Sequence, residues 1–238
     1  YKLVASPFHL DVRGKLSIGV LGKHLLNCAD AYAAERGFDV VEQGGEHYTW
    51  VLSRLAIELE DLPSCHESFS IQTWVENVYR LFADRNFVIC NKDEKPIGYV
   101  RSVWAMISME TRNPANLLDL HGDRITNSIC EKECPIAKPG RIKVSQQEVV
   151  SEYVAKYSDL DINGHVNSIK YIEHILDIFP LDIYKKKALK RFEIAYVAES
   201  YYGDTLSFYL EEKNENEYDI EVRKSSTEVV VRSKVIFK

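Results

Sequence analysis

The chain contains one pattern twice. Asp161-Ile162-Asn163-Gly164-His165-Val166-Asn167 lies 150 positions after Asp11-Val12-Arg13-Gly14-Lys15-Leu16-Ser17, and the same shift lays His174-Ile175-Leu176 over His24-Leu25-Leu26. What surrounds each copy repeats as well. Leu21, Leu25, Cys28 and Tyr32 share one face of a helical pattern from Gly19 to Phe38, with Gly37 as its C-terminal stop. Segments of β-type alternation follow at Tyr48 to Leu59, Phe69 to Trp74, Phe87 to Cys90 and Ile97 to Met109, and the polar turn Asn91 to Pro96 joins the last two as antiparallel neighbours. In the second half Ile169, Ile172, Leu176 and Phe179 mark a helix that Pro180 ends. Strands follow at Phe192 to Tyr196, Leu206 to Leu210, Tyr218 to Val222 and Val229 to Phe237, with a hairpin turn at Asn214 to Glu217. A helix followed by a sheet, used twice, is an α+β plan built as a tandem repeat.

Between the copies, from Asn113 to Gln147, periodicity lapses and Pro114, Pro135, Pro139, Gly122 and Gly140 accumulate. This divides the chain into a first repeat at 1–118, a linker at 119–147 and a second repeat at 148–238. The two motif loops differ in chemistry. Arg13 stands where the second copy has Asn163, and Lys15 where it has His165, so only the second loop has a neutral amide and a titratable ring. A duplicated module with one chemically equipped loop predicts a pseudo-dimer with a single working site.

In the second loop an acid, an amide and an imidazole occur at alternate positions just before an apolar-periodic helix. Either Asn163 or Asn167 suits the N-cap, which predicts unsatisfied N–H groups near His165 and Val166. Such a helix start stabilises negative charge, including the oxyanion of a reacting carbonyl.

Composition narrows the partners. The net charge is −6 with dispersed acids, which gives no electrostatic footprint for nucleic acid. No apolar run is long enough to span a bilayer, and Tyr1-Lys2-Leu3-Val4 lacks a signal-peptide core. Cys28, Cys65, Cys90, Cys130 and Cys134 are an odd set with no disulfide framework, so a soluble cytoplasmic protein is expected. Cys130 and Cys134, with His121 nearby in sequence, lack the second ligand pair of a zinc site, and no metal or cofactor is expected.

With these residues in place, the chain resembles the acyl-acyl carrier protein thioesterases, the plant fatty-acid-releasing enzymes and their bacterial relatives. Asp161 to Asn167 with Lys170-Tyr171-Ile172 is similar to the family's Asn-x-His-Val-Asn-x-x-x-Tyr-Ile signature. Trp50 to Arg54, Ile71 to Trp74, Ser102-Val103-Trp104 with Met106, and Thr111-Arg112 follow in family order. The resemblance implies a tandem hot-dog fold, each half a long helix wrapped by an antiparallel sheet. It also implies hydrolysis of the thioester joining a fatty acyl chain to the phosphopantetheine arm of acyl carrier protein, which terminates chain elongation. By position the family's catalytic residues fall on Asp161, Asn163, His165 and Glu199, the last just before the turn Tyr201 to Asp204. Plant members usually carry a cysteine after that glutamate. Ser200 occupies this place here, and a hydroxyl without a dedicated base is a far weaker nucleophile than a thiolate.

The chemistry these residues suit assigns Glu199 to activating water or attacking directly, His165 to relaying the proton, Asn163 and helix-start N–H groups to polarising the carbonyl, and Asp161 to orienting His165 or Asn163. His174 reads as a structural helix residue, and Trp50, Trp74 and Trp104 as sheet packing. The acyl chain is expected in an apolar tunnel lined largely by the first half. Acyl carrier protein, being acidic, is expected to dock on basic residues, and Lys185-Lys186-Lys187 with Lys190 and Arg191 form the densest cluster. Alternatives are an acyl-coenzyme A thioesterase of the same fold, a hot-dog dehydratase, or a non-catalytic acyl-binding module. The tandem repeat internalises the usual hot-dog dimer and leaves a further homodimer open.

Overall fold

A computed structural model describes residues 1–225 and 227–238. The first repeat comprises β1 (Lys2–Val4), α1 (Ile18–Glu35), β2 (Val41–Gln43), β3 (Glu46–Leu59), β4 (Ser68–Val78), β5 (Ala83–Cys90) and β6 (Pro96–Ser108). Two short helices follow, α2 (Leu117–His121) and α3 (Asp123–Thr126). The second repeat comprises β7 (Val149–Val154), α4 (Ser168–Asp177), α5 (Leu181–Lys186), β8 (Leu189–Tyr196), β9 (Thr205–Asn214), β10 (Glu217–Lys224) and β11 (Glu228–Phe237).

The strands form one sheet in the order β1-β4-β5-β6-β3-β8-β11-β10-β9-β7, with β2 added on β3. The order reads the same from either end once the repeats are matched, because each places the first long strand after its main helix at the seam. There β3 and β8 pair antiparallel, Ile57 opposite Phe192 and Leu55 opposite Ile194, all four buried. This is the tandem hot-dog arrangement that the resemblance implied. Each repeat lays its helix on the inner face of the sheet, and Leu21, Leu25, Ile172, Phe192 and Phe208 belong to one continuous core. Gly22 lets α1 approach α4, since a Cβ there would lie 2.7 Å from Ile169 Cδ1.

The motif loops share their local structure, each passing through a short 3-10 turn before its helix. In the first, Asp11 accepts from the N–H groups of Arg13 and Lys15 through Oδ1; in the second, Asp161 does the same for Asn163 and His165. Gly14 and Gly164 have φ of 72° and 79°, a region L side chains avoid. Aspartate and glycine thus persist in both copies because the loop needs them.

The expected boundary between first repeat and linker falls inside α2, not between elements. Leu117 of α2 and Ile125 of α3 pack with Ala33, Phe38 and Met106 under the end of α1. The remaining residues, 127–147, cross the outer face of the sheet as a strap. Trp74 donates to the Lys132 carbonyl (2.8 Å), and Arg101 donates to those of Cys134 and Ile136 (both 2.7 Å). Further along, Arg191 donates to Ala137 (2.8 Å) and Gly140 N–H to Glu193 (2.7 Å). The segment lacks periodicity because its backbone groups bond to side chains of the sheet instead of to each other. Within the strap, Cys134 is buried against Trp74 and Val88 and Cys130 is exposed, and no three metal-ligating side chains converge among the described residues.

Candidate active site

The sequence-predicted residues meet at the edge of one cavity. It measures about 570 Å³, and its lining includes Asp161, Asn163, His165 and Glu199 from the second repeat. The rest runs into the first repeat, past Leu26 and Ala29 of α1, Trp50 and Leu52 of β3, and Trp104 of β6. Trp50 and Trp104 therefore wall the cavity as well as packing the sheet, whereas Trp74 lies on the other face beneath the strap.

His165 Nδ1 stands 3.5 Å from Glu199 Oε1. Two further groups hold that carboxylate. Arg112 donates to Oε1, and the Tyr201 hydroxyl donates to Oε2 at 3.3 Å. Arg112 comes from the turn after β6 and has a φ of 60°, so the first repeat contributes a cation to the second repeat's site through a left-handed backbone position. Thr111-Arg112 resembles a family landmark, yet its neighbours in sequence do not reveal this contact, which is made 87 positions away. Burial holds His165 below its ordinary 6.5, with the Arg112 charge acting the same way and Asp161 against both. The ring is therefore neutral at neutral pH and able to accept a proton.

The expectation of free N–H groups at His165 and Val166 is corrected. His165 N–H bonds Asp161 Oδ1 (3.2 Å) and Val166 N–H bonds the Ser200 carbonyl (2.8 Å). Asn167, not Asn163, is the N-cap, accepting from Ile169 N–H at 2.9 Å. The helix consequently starts later, and its first residue, Ser168, lines the cavity. Capping by Asn167 leaves the Asn163 amide outside the helix, facing the cavity. Asp161 orients the loop through backbone N–H groups; no hydrogen bond joins its carboxylate to the His165 ring among the described residues.

The first repeat shows how such a site is lost. Leu16 N–H bonds the Pro63 carbonyl as Val166 N–H bonds that of Ser200, which matches Leu62 to Glu199. Where the second repeat has a ring and a carboxylate, the first has Lys15 and a buried leucine, and the Lys15 ammonium is tied to Asp61 (2.9 Å).

Ser200 is 1% exposed and its Oγ is absent from the cavity wall. His174 bonds Asp159 (3.1 Å) and packs on Tyr153, a structural placement. Of the basic cluster, Arg191 is buried between Glu58 and Glu193, while Lys185 to Lys187 precede β8 and stand at the end of that strand away from Glu199, the strand alone being about 25 Å long.

Residues 6–122 match the acyl-ACP thioesterase N-terminal domain, and residues 142–238 match the acyl-ACP thioesterase C-terminal domain. The chain belongs to the acyl-ACP thioesterase family. A crystal structure of an acyl-ACP thioesterase from Bacteroides thetaiotaomicron VPI-5482 is 60% identical, with a TM-score of 0.94 over 100% of this chain and 96% of that one. The 12:0-ACP thioesterase from Umbellularia californica, 17% identical, shares the fold at a TM-score of 0.85 over 100% of this chain and 96% of that one. The chloroplastic palmitoyl-acyl carrier protein thioesterase of Gossypium hirsutum is 26% identical over 76% of this chain and 46% of its own length. The chain thus spans about half the length of the plant relatives it matches. Among the described residues no helix is long and apolar enough to cross a membrane.

Proposed function

We propose that the protein hydrolyses the thioester of fatty acyl-acyl carrier protein, releasing free fatty acid and ending chain elongation. The observation that carries this reading is the single cavity joining the His165–Glu199 pair of one repeat to the interior of the other. A thioester placed at the pair would extend its acyl chain inward and its phosphopantetheine arm outward.

In this reading Glu199, oriented by Arg112 and Tyr201, acts with neutral His165 to take a proton from water as its oxygen attacks the carbonyl carbon. The negative oxygen that develops is met by the Asn163 amide and the N–H of Ser168 at the positive end of α4. The C–S bond then breaks, and the thiolate takes up the proton held by the pair. A thiolate leaves readily, so water activation and carbonyl polarisation dominate. Ser200 takes no part. The five unpaired cysteines suit a reducing compartment such as the cytoplasm.

The test is free fatty acid release from acyl-acyl carrier proteins beside the matching acyl-coenzyme A thioesters. Preference for the carrier-protein forms is expected. Equal or better use of coenzyme A thioesters would replace the carrier by coenzyme A as substrate, and no release from either would leave only acyl binding.

A further inference from the structure

The cavity is not apolar throughout. Arg85 of β5 lines it and is 6% exposed. Strand alternation places Arg85 on the inner face with Ala83, Phe87 and Ile89, while Asp84 faces the strap through Lys138. Two other arginines facing the protein are satisfied: half-buried Arg101 has Glu76 and two strap carbonyls, and buried Arg191 has Glu58, Glu193 and another. Arg85 has no such partners among the described residues. One Nη donates to the Thr73 hydroxyl at 3.2 Å, and the guanidinium lies 4.4 Å over the ring of Tyr32, which Arg36 also covers at 3.6 Å. Among the described residues no carboxylate forms an ion pair with it, and the charged neighbour that acts on it, Arg36, is another cation. Burial lowers its pKa to about 10, which leaves it cationic at neutral pH.

A guanidinium carries five N–H groups, and a buried cation with most of them unused is costly unless an acceptor occupies the adjoining space. That space is the cavity. Its position is set by the sheet register: Ala195 pairs with Arg54, Arg54 with Val103, and Val103 with Asp84. Three strand spacings, plus the run along the strands from Arg85 back to Glu199, put the two Cα atoms roughly 20 Å apart. Arg85 therefore stands at the depth reached by the distal part of an acyl chain whose thioester is at His165 and Glu199.

We propose that Arg85 is a specificity-determining residue that disfavours a plain hydrocarbon tail at its depth and accepts an acyl chain carrying an oxygen, such as a hydroxyl, there. A methyl terminus pressed against the guanidinium removes its water and returns no acceptor, whereas a hydroxyl replaces that water. The inference rests on the thioesterase reading of the same site.

The test measures kcat/KM for carrier-protein thioesters of saturated acyl chains of increasing length and of their terminally hydroxylated counterparts. With the wild-type protein, the rate falls beyond a certain chain length, and a terminal hydroxyl at that length restores it by about tenfold or more, the effect of a hydrogen bond to a charged group. Arg85→Leu extends the profile to longer plain chains and abolishes the hydroxyl preference, whereas Arg85→Lys retains part of it. Equal wild-type rates for plain and hydroxylated chains at every length overturn the proposal without needing a variant. So does a hydroxyl preference that persists in a folded Arg85→Leu protein. Hydrolysis of all chains without discrimination removes only the role of Arg85, whereas no hydrolysis at all removes the thioesterase reading beneath it.

Discussion

At the scale of single residues, the site depends on groups that differ in how they could be foreseen. His165 and Asn163 stand out in sequence because their counterparts in the other copy are Lys15 and Arg13. Arg112 does not, because its role depends on a contact between repeats. The two meet in the pH dependence. A neutral imidazole is needed to accept a proton, and a lowered pKa keeps His165 neutral until the pH drops below 6.5. The acid limb of kcat/KM is therefore expected below pH 6.5, and Arg112→Ala, which removes a charge that opposes protonation, is expected to move it upward. A wild-type limb at or above 6.5, or one that Arg112→Ala leaves in place, would contradict this account. Asn163→Ala is expected to lower kcat by roughly 10² to 10³, the worth of one oxyanion donor, with little change in thermal stability because the side chain is exposed.

At the scale of elements, the strap ties the sheet together from outside. Arg191 and Glu193 are buried partners, and Glu193 also accepts from Gly140 N–H. Arg191→Ala leaves that carboxylate without its cation, and a loss of about 3–5 kcal/mol is expected in urea unfolding. A change below about 1 kcal/mol would mean that the pair and its strap carbonyl add little beyond what water supplies. The long strands and both principal helices were legible because they alternate or repeat with helical period over enough residues. The strap, α2, α3, α5 and the edge strands β1 and β7 were not. They are short, and what fixes them lies far away in sequence: Arg101 holds the strap carbonyls of Cys134 and Ile136, β1 and β7 pair with β4 and β9, and α2 and α3 pack under α1. The helix start was left between two asparagines, and the free N–H groups were misassigned, for a related reason. Either asparagine can cap a helix, and only the Ser200 carbonyl and the Asp161 carboxylate decide which N–H groups remain free.

At the scale of the whole molecule, duplication has become a division of labour. The second repeat supplies the reacting groups, while the first supplies Arg112, Arg85 and most of the cavity wall. The repeat and the loss of one site could be read from the two loops, and a tunnel lined largely by the first half was expected as well; which residues wall it, Arg85 among them, could not, since that is set only once β3 and β8 pair. Phe192 and Ile57 are fully buried in that seam. Phe192→Ala is expected to cost about 3–5 kcal/mol and to destabilise both repeats in one unfolding transition, as followed by denaturant melts. Two separated transitions, with the first repeat unaffected, would mean that the halves fold as independent units.

The most direct test of the central claim compares the rate of fatty acid release by Glu199→Ala and Ser200→Ala with that of the wild-type protein on its best acyl-acyl carrier protein. The account predicts a loss of roughly 10² to 10⁴ for Glu199→Ala, as for a missing general base, and near-normal turnover for Ser200→Ala. A folded Ser200→Ala protein as inactive as Glu199→Ala would contradict it.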